Sequence, residues 1–293
     1  MSADEAALTI SGLTVTAPGA KPILRGVDLQ LRRGRIQGLA GESGSGKTMT
    51  GLATLGLLPS GLTAAGSITL GDTNLLTLSA RKLSAIRGRR VGMVFQDPST
   101  SLHPMLNVGT QLTDHVRRHL GLSRAQRRER AITMLTRVRI PNPEAALDRY
   151  PHQFSGGQRQ RIAIAIALAC EPQVLIADEP TTALDVTVQA GVLRLLRSLA
   201  DDMGLAVLLV THDLGVMSAA ADDVAVMRDG LVVENGPREQ VFQRPSHEYT
   251  RSLLASLPGA SGGISSLADV RTLLAGELAG TGERPDESDG GAP

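Results

Sequence analysis

The stretch "RIQGLAGESGSGKT", Arg35 to Thr48, decides how the rest of the chain is read. Its second part, Gly41 to Thr48, satisfies G-x-x-x-x-G-K-[ST]. It follows a short apolar strand and opens a run of helix formers, the setting in which that pattern cradles phosphates. The glycines let backbone N–H groups curl round a polyphosphate. Lys47 reaches the β- and γ-oxygens, and the Thr48 hydroxyl ligates Mg²⁺. The competing reading, a Gly-rich turn with an incidental lysine, leaves the strand–turn–helix context unexplained. Gly41, Glu42, Ser43, Gly44, Ser45, Gly46, Lys47 and Thr48 are therefore expected to bind ATP or GTP.

Upstream, "ALTISGLTVT" and "GVDLQLRRGRIQGLAG" read as short strands. The alternation Val27-Asp28-Leu29-Gln30-Leu31 predicts a strand with one buried face. Downstream, Met49 to Leu58 are good helix formers, stopped by Pro59-Ser60-Gly61. "GSITLGDTNLL" is a strand and turn, and "RRVGMVFQ" a buried strand ending at Gln96. Between Ser101 and Ala169 the pattern becomes helical, with Ser123 as an N-cap of "SRAQRRERAITMLTRVRI". Strands return in "QVLIADE", "AVLLVTHD" and "DVAVMRDGLVVENG", alternating with helices such as "VTVQAGVLRLLRSLADDMG". Apolar β-runs separated by helices predict a parallel, doubly wound α/β sheet, split in sequence by a helical insertion.

Length and composition bound the possibilities. A chain of 293 residues with a formal net charge of +1 buries a sizeable core and carries no bulk signal for nucleic acid or anionic lipid. The single cysteine, Cys170, excludes a disulfide framework and is expected to be a buried thiol in a helix. The start, "MSADEAAL", lacks the apolar segment of a signal peptide, and the longest apolar run, Ile162 to Cys170, is too short to cross a bilayer. A soluble protein is expected, with any membrane part supplied by another chain.

Polar groups are expected to gather where strands end. Asp178 and Glu179 close "VLIADE", the edge at which open α/β sheets bind ligands. Asp178 suits Mg²⁺ and Glu179 suits the abstraction of a proton from water. His212 follows "AVLLV" and can touch a γ-phosphate or orient the water. Gln96 can touch both metal and water. Each has a bland reading, as a solvated carboxylate pair, a structural loop histidine or a surface glutamine. Convergence on one phosphate favours the chemical one. A second glycine-rich turn, Ser155-Gly156-Gly157-Gln158, precedes the helical "RQRIAIAIALA". A capped helix accounts for Ser155. The paired glycines, in a first turn where each costs up to about 1 kcal/mol against alanine, point to close approach of a ligand.

The ordered set "GESGSGKT", Gln96, "FSGGQ", "VLIADEP", "ALD" and His212 resembles the ATP-binding subunit of ABC transporters from about Leu8 to Pro258. The resemblance implies a P-loop NTPase (RecA-like) core with a parallel sheet, an N-terminal antiparallel β subdomain and an α-helical subdomain inserted at about 97–165. It implies a cassette over 1–258 and a partly disordered extension over 259–293, with one weak helical segment at Leu267 to Leu278. ATP and Mg²⁺ are the implied ligands, the metal being held by Thr48, Gln96 and Asp178. Glu179, His212 and Gln96 are the implied catalytic residues. By the same resemblance Ser155, Gly156, Gly157 and Gln158 bind the ATP held by an opposing subunit, and Ala183-Leu184-Asp185 crosses that interface. The implied partners are a second ATP-binding subunit, identical or different, transmembrane permease subunits and, indirectly, a solute-binding protein. No nucleic acid is expected, and the implied place is the cytoplasmic face of the membrane.

"FQDPSTSLHP", "YPHQFSGGQRQR", "THDLGVM" and "HEYTRSLLASLP" are similar to the oligopeptide, dipeptide and nickel importer branch. Three positions depart from that resemblance. No aromatic residue precedes Phe95, so the usual adenine-stacking position aligns with Ala17, and weaker adenine affinity or selectivity is expected, a stacked base being worth roughly 1–3 kcal/mol. A Cys-rich C-terminal segment is missing. His103 stands where relatives carry Asn. The Arg-rich run Arg117 to Arg139 reads as a solvated helical face, a permease contact or a nucleic-acid contact, and the acidic Asp286 to Asp289 as solvated. The rival function is a non-transport ABC ATPase acting on DNA or ribosomes. Such proteins typically carry a long coiled coil, zinc cysteines or tandem cassettes, and this sequence shows none of them.

Overall fold

The computed structural model describes residues 6–97, 101–182 and 184–256. The expected helical segment at Leu267 to Leu278, the acidic run at Asp286 to Asp289 and Ala183 lie outside them. In chain order the strands β1 (Ala6–Thr16), β2 (Leu24–Arg32) and β3 (Ile36–Ala40) lead into α1 (Lys47–Thr54). Then come β4 (Thr63–Leu70), β5 (Thr73–Asn74), α2 (Ala80–Ile86) and β6 (Val91–Val94). Helices α3 (Val108–Leu120), α4 (Arg124–Arg137), α5 (Pro143–Ala146) and α6 (Gly156–Leu168) follow. The described residues close with β7 (Val174–Asp178), α7 (Val186–Met203), β8 (Ala206–Val210), α8 (Leu214–Ala220), β9 (Asp223–Arg228), β10 (Leu231–Pro237), α9 (Arg238–Gln243) and α10 (Glu248–Ala255).

The strands form two sheets. A four-stranded antiparallel sheet has the order β2-β1-β4-β5, and a six-stranded sheet the order β10-β9-β3-β8-β7-β6. In the larger sheet β9, β3, β8, β7 and β6 run parallel, and β10 adds an antiparallel edge through a hairpin. The parallel strands are buried on both faces, and the period-2 alternation sorts their side chains between two cores. Ala206, Leu208 and Val210 of β8 pack towards the antiparallel sheet, whereas Val207 and Leu209 pack with the helices α3, α4, α6 and α7. In β2 the expected alternation holds: Val27, Leu29 and Leu31 are buried, Asp28 and Gln30 exposed.

Two sequence expectations are corrected here. The helix expected over Met49 to Leu58 ends at Thr54. Gly56 takes φ +59°, its N–H reaches Ala53 O at 3.0 Å, and Leu57 N–H reaches Leu52 O at 2.9 Å. That is a Schellman closure, completed before Pro59 is reached. Cys170 is buried, but in the turn after α6 and not in a helix. Ser123 caps α4 as expected, in a capping box with Gln126. The Arg-rich run is only partly a solvated face: the Arg130 guanidinium donates to Ala169 O and pairs with Glu171 at 3.3 Å, and Arg137 pairs with the same carboxylate at 3.5 Å. These contacts tie α4 to the turn that follows α6.

Candidate functional site

In a parallel sheet all carboxyl ends lie along one edge, and the order β3-β8-β7-β6 sets four of them side by side. The loop Gly41–Gly46 leaves β3, His212 lies just beyond β8, Asp178 ends β7 with Glu179 next, and Gln96 lies just beyond β6. Residues far apart in sequence thereby reach one place.

The loop before α1 is shaped by its glycines. Gly44 at φ +82° has no protein atom within 4 Å of where a Cβ would stand, so its conformation faces open space. Gly46, at φ +107°, would drive a Cβ to 2.5 Å from Leu24 Cδ2 and so is needed for close packing. Lys47 Nζ lies across the loop, donating to Gly41 O at 2.8 Å and Glu42 O at 2.9 Å. Burial lowers the Lys47 pKa, and the carboxylates of Glu179, Asp178 and Glu42 oppose that shift. Ser45 Oγ is buried and has no hydrogen-bond partner among the described residues. A curled backbone, a cation and an unclaimed hydroxyl fit a polyphosphate.

Thr48 Oγ1 donates to Asp178 Oδ1 at 3.2 Å, joining the start of α1 to the end of β7. Burial raises the Asp178 pKa, with the Thr48 hydrogen bond opposing it. A hydroxyl, a carboxylate and the amide oxygen of Gln96 make a hard oxygen donor set that fits Mg²⁺.

Glu179 adopts φ +46°, the left-handed region, directly after β7, and its N–H is held by Val210 O at 2.8 Å. Non-glycine residues there cost on the order of 1–3 kcal/mol, a strain that surrounding contacts must sustain. Three side chains meet the carboxylate. Gln96 Nε2 at 2.9 Å and Thr182 Oγ1 at 3.0 Å donate to Oε2, and His212 Nδ1 lies 2.9 Å from Oε1. Burial pushes the Glu179 pKa up, but the His212 and Thr182 hydrogen bonds outweigh it and hold the group below the usual glutamate range. Glu179 is therefore an anion at neutral pH, as a proton acceptor must be.

The Ser155 turn makes its own local bonds. Ser155 Oγ accepts from Gln158 N–H at 3.3 Å, and Gln158 Oε1 accepts from Ser155 N–H at 3.0 Å, a capping box at the start of α6. The two glycines differ. A Cβ on Gly157 would come within 2.3 Å of Val188 Cγ1 in α7, whereas one on Gly156 meets nothing nearer than Leu184 Cδ2 at 3.7 Å. Gly157 thus has a packing reason beside the ligand expected for both glycines. Packing of α6 on α7 requires Gly157, and Gly156 alone is left without a structural reason. Asp185 caps α7, its Oδ1 accepting from Val188 N–H at 2.9 Å.

Sequence reasoning passed over two residues at or near this edge. Thr182 donates to Glu179, and only its place after "DEP" could have drawn attention to it. Tyr249 in α10 accepts a hydrogen bond from Glu42 N–H, a contact between positions too distant for any local pattern to report. His103, whose effect was unassigned, accepts from Met105 N–H through Nδ1 at 3.2 Å. It thereby forms the side-chain turn that an Asn in its place would form.

The chain matches the family model described as ABC transporter over residues 24–182. It is 49% identical to a probable peptide ABC transporter ATP-binding protein of Sinorhizobium fredii, over 83% of this chain and 73% of that one. It is 46% identical to a dipeptide transport ATP-binding protein of Bacillus subtilis, over 87% of this chain and 77% of that one. Among solved structures, cbiO1 of Clostridium perfringens, part of an ABC transporter complex, superposes with a TM-score of 0.73 at 28% identity, covering 87% of this chain and 97% of that one. An ATP-binding cassette captured as a dimer in a post-hydrolysis state with ADP and Pi gives a TM-score of 0.68 at 29% identity, covering 79% of this chain and 98% of that one.

Proposed function

This chain belongs to the ABC transporter family, and on that premise we propose that it is the ATP-hydrolysing subunit of a peptide importer, acting as one half of a head-to-tail pair. The observation that carries the reading is Glu179, anionic and gripped by Gln96, Thr182 and His212 beside the Lys47 loop and the Thr48–Asp178 pair. The loop Gly41–Thr48 binds the triphosphate. Thr48, Asp178 and Gln96 would hold Mg²⁺, which would supply positive charge to the triphosphate. Glu179 accepts a proton from the attacking water, and His212 orients that water. Glycine at 156 leaves the N-terminus of α6 open for the γ-phosphate of a nucleotide held by the opposing subunit, with Asp185 at the same interface.

The names of the relatives support peptides as the cargo. Nickel rests on the branch resemblance alone. Among the described residues no helix is long and apolar enough to cross a membrane. Transport therefore calls for permease partners, reached from the cytoplasmic face through the helices inserted between β6 and β7. In this reading the cassette spans 1–258, the inserted helical subdomain covers about 97–165, and residues 259–293 form an extension.

The test is Glu179→Gln. The amide keeps the shape but accepts no proton, so turnover is expected to fall at least about 100-fold. The variant should form an ATP-dependent dimer that persists on size exclusion. ATP turnover within about two-fold of the parent removes Glu179 from the role of base.

A further inference from the structure

We propose that Tyr249 is a positioning residue for ATP, its hydroxyl holding the peptide that parks the P-loop lysine. A trans peptide points its N–H and C=O in opposite directions. The unit joining Gly41 to Glu42 is gripped on both sides. Its N–H donates to Tyr249 Oη at 3.4 Å, and its C=O accepts from Lys47 Nζ at 2.8 Å. A polar chain therefore runs from α10 through one peptide plane to the cation that meets the phosphates. Position 41 is a glycine at φ +151°, so no side chain there helps fix the plane, which is held by Lys47 on one side and Tyr249 on the other.

The holder is itself anchored. Tyr249 is 7% exposed, and the Arg228 guanidinium lies 4.7 Å from its ring centroid. The turn into α10 is pinned by Glu234 of β10, a buried carboxylate that accepts from Ser246 N–H at 2.7 Å, Ser246 Oγ at 2.9 Å and His247 N–H at 3.2 Å. His247 Nδ1 then accepts from Tyr249 N–H at 3.1 Å. A helix remote from the P-loop in sequence thus sets the tilt of the P-loop's first peptide. Without the hydroxyl, Glu42 N–H loses its partner and the plane relaxes. Phosphate affinity suffers, while Glu179, Gln96 and His212 are untouched. The effect falls on KM for ATP and leaves kcat nearly level.

The proposal rests on the ATP-binding role given above, and the experiment separates the two. Binding of Mg-ATP and Mg-ADP is measured on the full chain and on Tyr249→Phe. Parent protein that binds neither nucleotide sinks the ATP reading itself. If the parent binds, Tyr249→Phe is expected to raise both dissociation constants roughly three- to ten-fold. Its thermal midpoint should hold, and exchange of the Glu42 amide should be faster. Unchanged nucleotide affinity in Tyr249→Phe overturns the proposal. So does a loss of affinity accompanied by a lowered thermal midpoint in Tyr249→Phe, which would trace the effect to helix docking and not to the hydroxyl.

Discussion

The two glycines of the Ser155 turn should part company under mutation. In Gly157→Ala the added methyl falls 2.3 Å from Val188 Cγ1, far inside contact, and Val188 Cβ and Cγ2 lie within 3.7 Å as well. A valine in a helix has one strongly preferred χ1, so rotation gives little relief and α6 must shift away from α7. Overpacking of this kind costs about 1–3 kcal/mol, offset by up to about 1 kcal/mol of helix propensity, so the central expectation is a net loss of about 1 kcal/mol. Gly156→Ala meets only Leu184 Cδ2 at 3.7 Å, an ordinary contact, so stability should hold or rise by up to about 1 kcal/mol. Urea unfolding reads both: a lowered midpoint at constant slope for Gly157→Ala, and none for Gly156→Ala. In a double-mutant cycle, Val188→Ala should absorb most of the Gly157→Ala loss. ATP turnover should show the reverse order of interest, with Gly156→Ala folded and impaired at least about ten-fold. A Gly157→Ala protein as stable as the parent refutes the packing argument. A fully active Gly156→Ala refutes the approach of a phosphate there.

Further outcomes concern the frame around the site. Gly56→Ala forces a methyl to 2.4 Å from Leu83 Cδ2 at a residue with φ +59°. Stability should fall by about 1–2 kcal/mol, and no change in urea midpoint would return the end of α1 to Pro59. Burial pushes the Glu234 pKa up, but donors from Ser246 and His247 pull it below the usual glutamate range. A carboxylate with a depressed folded pKa contributes stability above the ordinary glutamate pKa and loses it as pH falls through the folded value. The thermal midpoint of Glu234→Gln should therefore trail the parent at pH 7 and converge with it as pH falls below the ordinary glutamate range. A deficit constant across that range would assign the effect to shape and not to charge.

Much of this molecule was legible before any coordinates. The P-loop pattern specifies its own backbone, because glycines and a following helix start are local requirements. Apolar runs such as "VLIAD" and "AVLLV" identify strands buried on both faces for the same reason. Ser123 and Ser155 declare their helix starts through bonds to residues only three positions on. Local sequence constrains φ, ψ and periodicity, and each of these features needs nothing more.

What it does not constrain is which strand end stands beside which. The order β3-β8-β7-β6 brings Gln96 and His212 to the Glu179 carboxylate, and that order is set by strand pairing across the fold. Contacts made across the fold are decided in the same way. Gly157 is required by Val188, Thr182 turns back onto Glu179, and Tyr249 reaches Glu42. The sequence by itself determined a nucleotide-binding α/β protein and pointed to the polar groups that gather at its strand ends. Only the tertiary structure decided which of the two glycines serves packing and which stands clear of the fold, because a close approach is a property of two surfaces and only one of them is local.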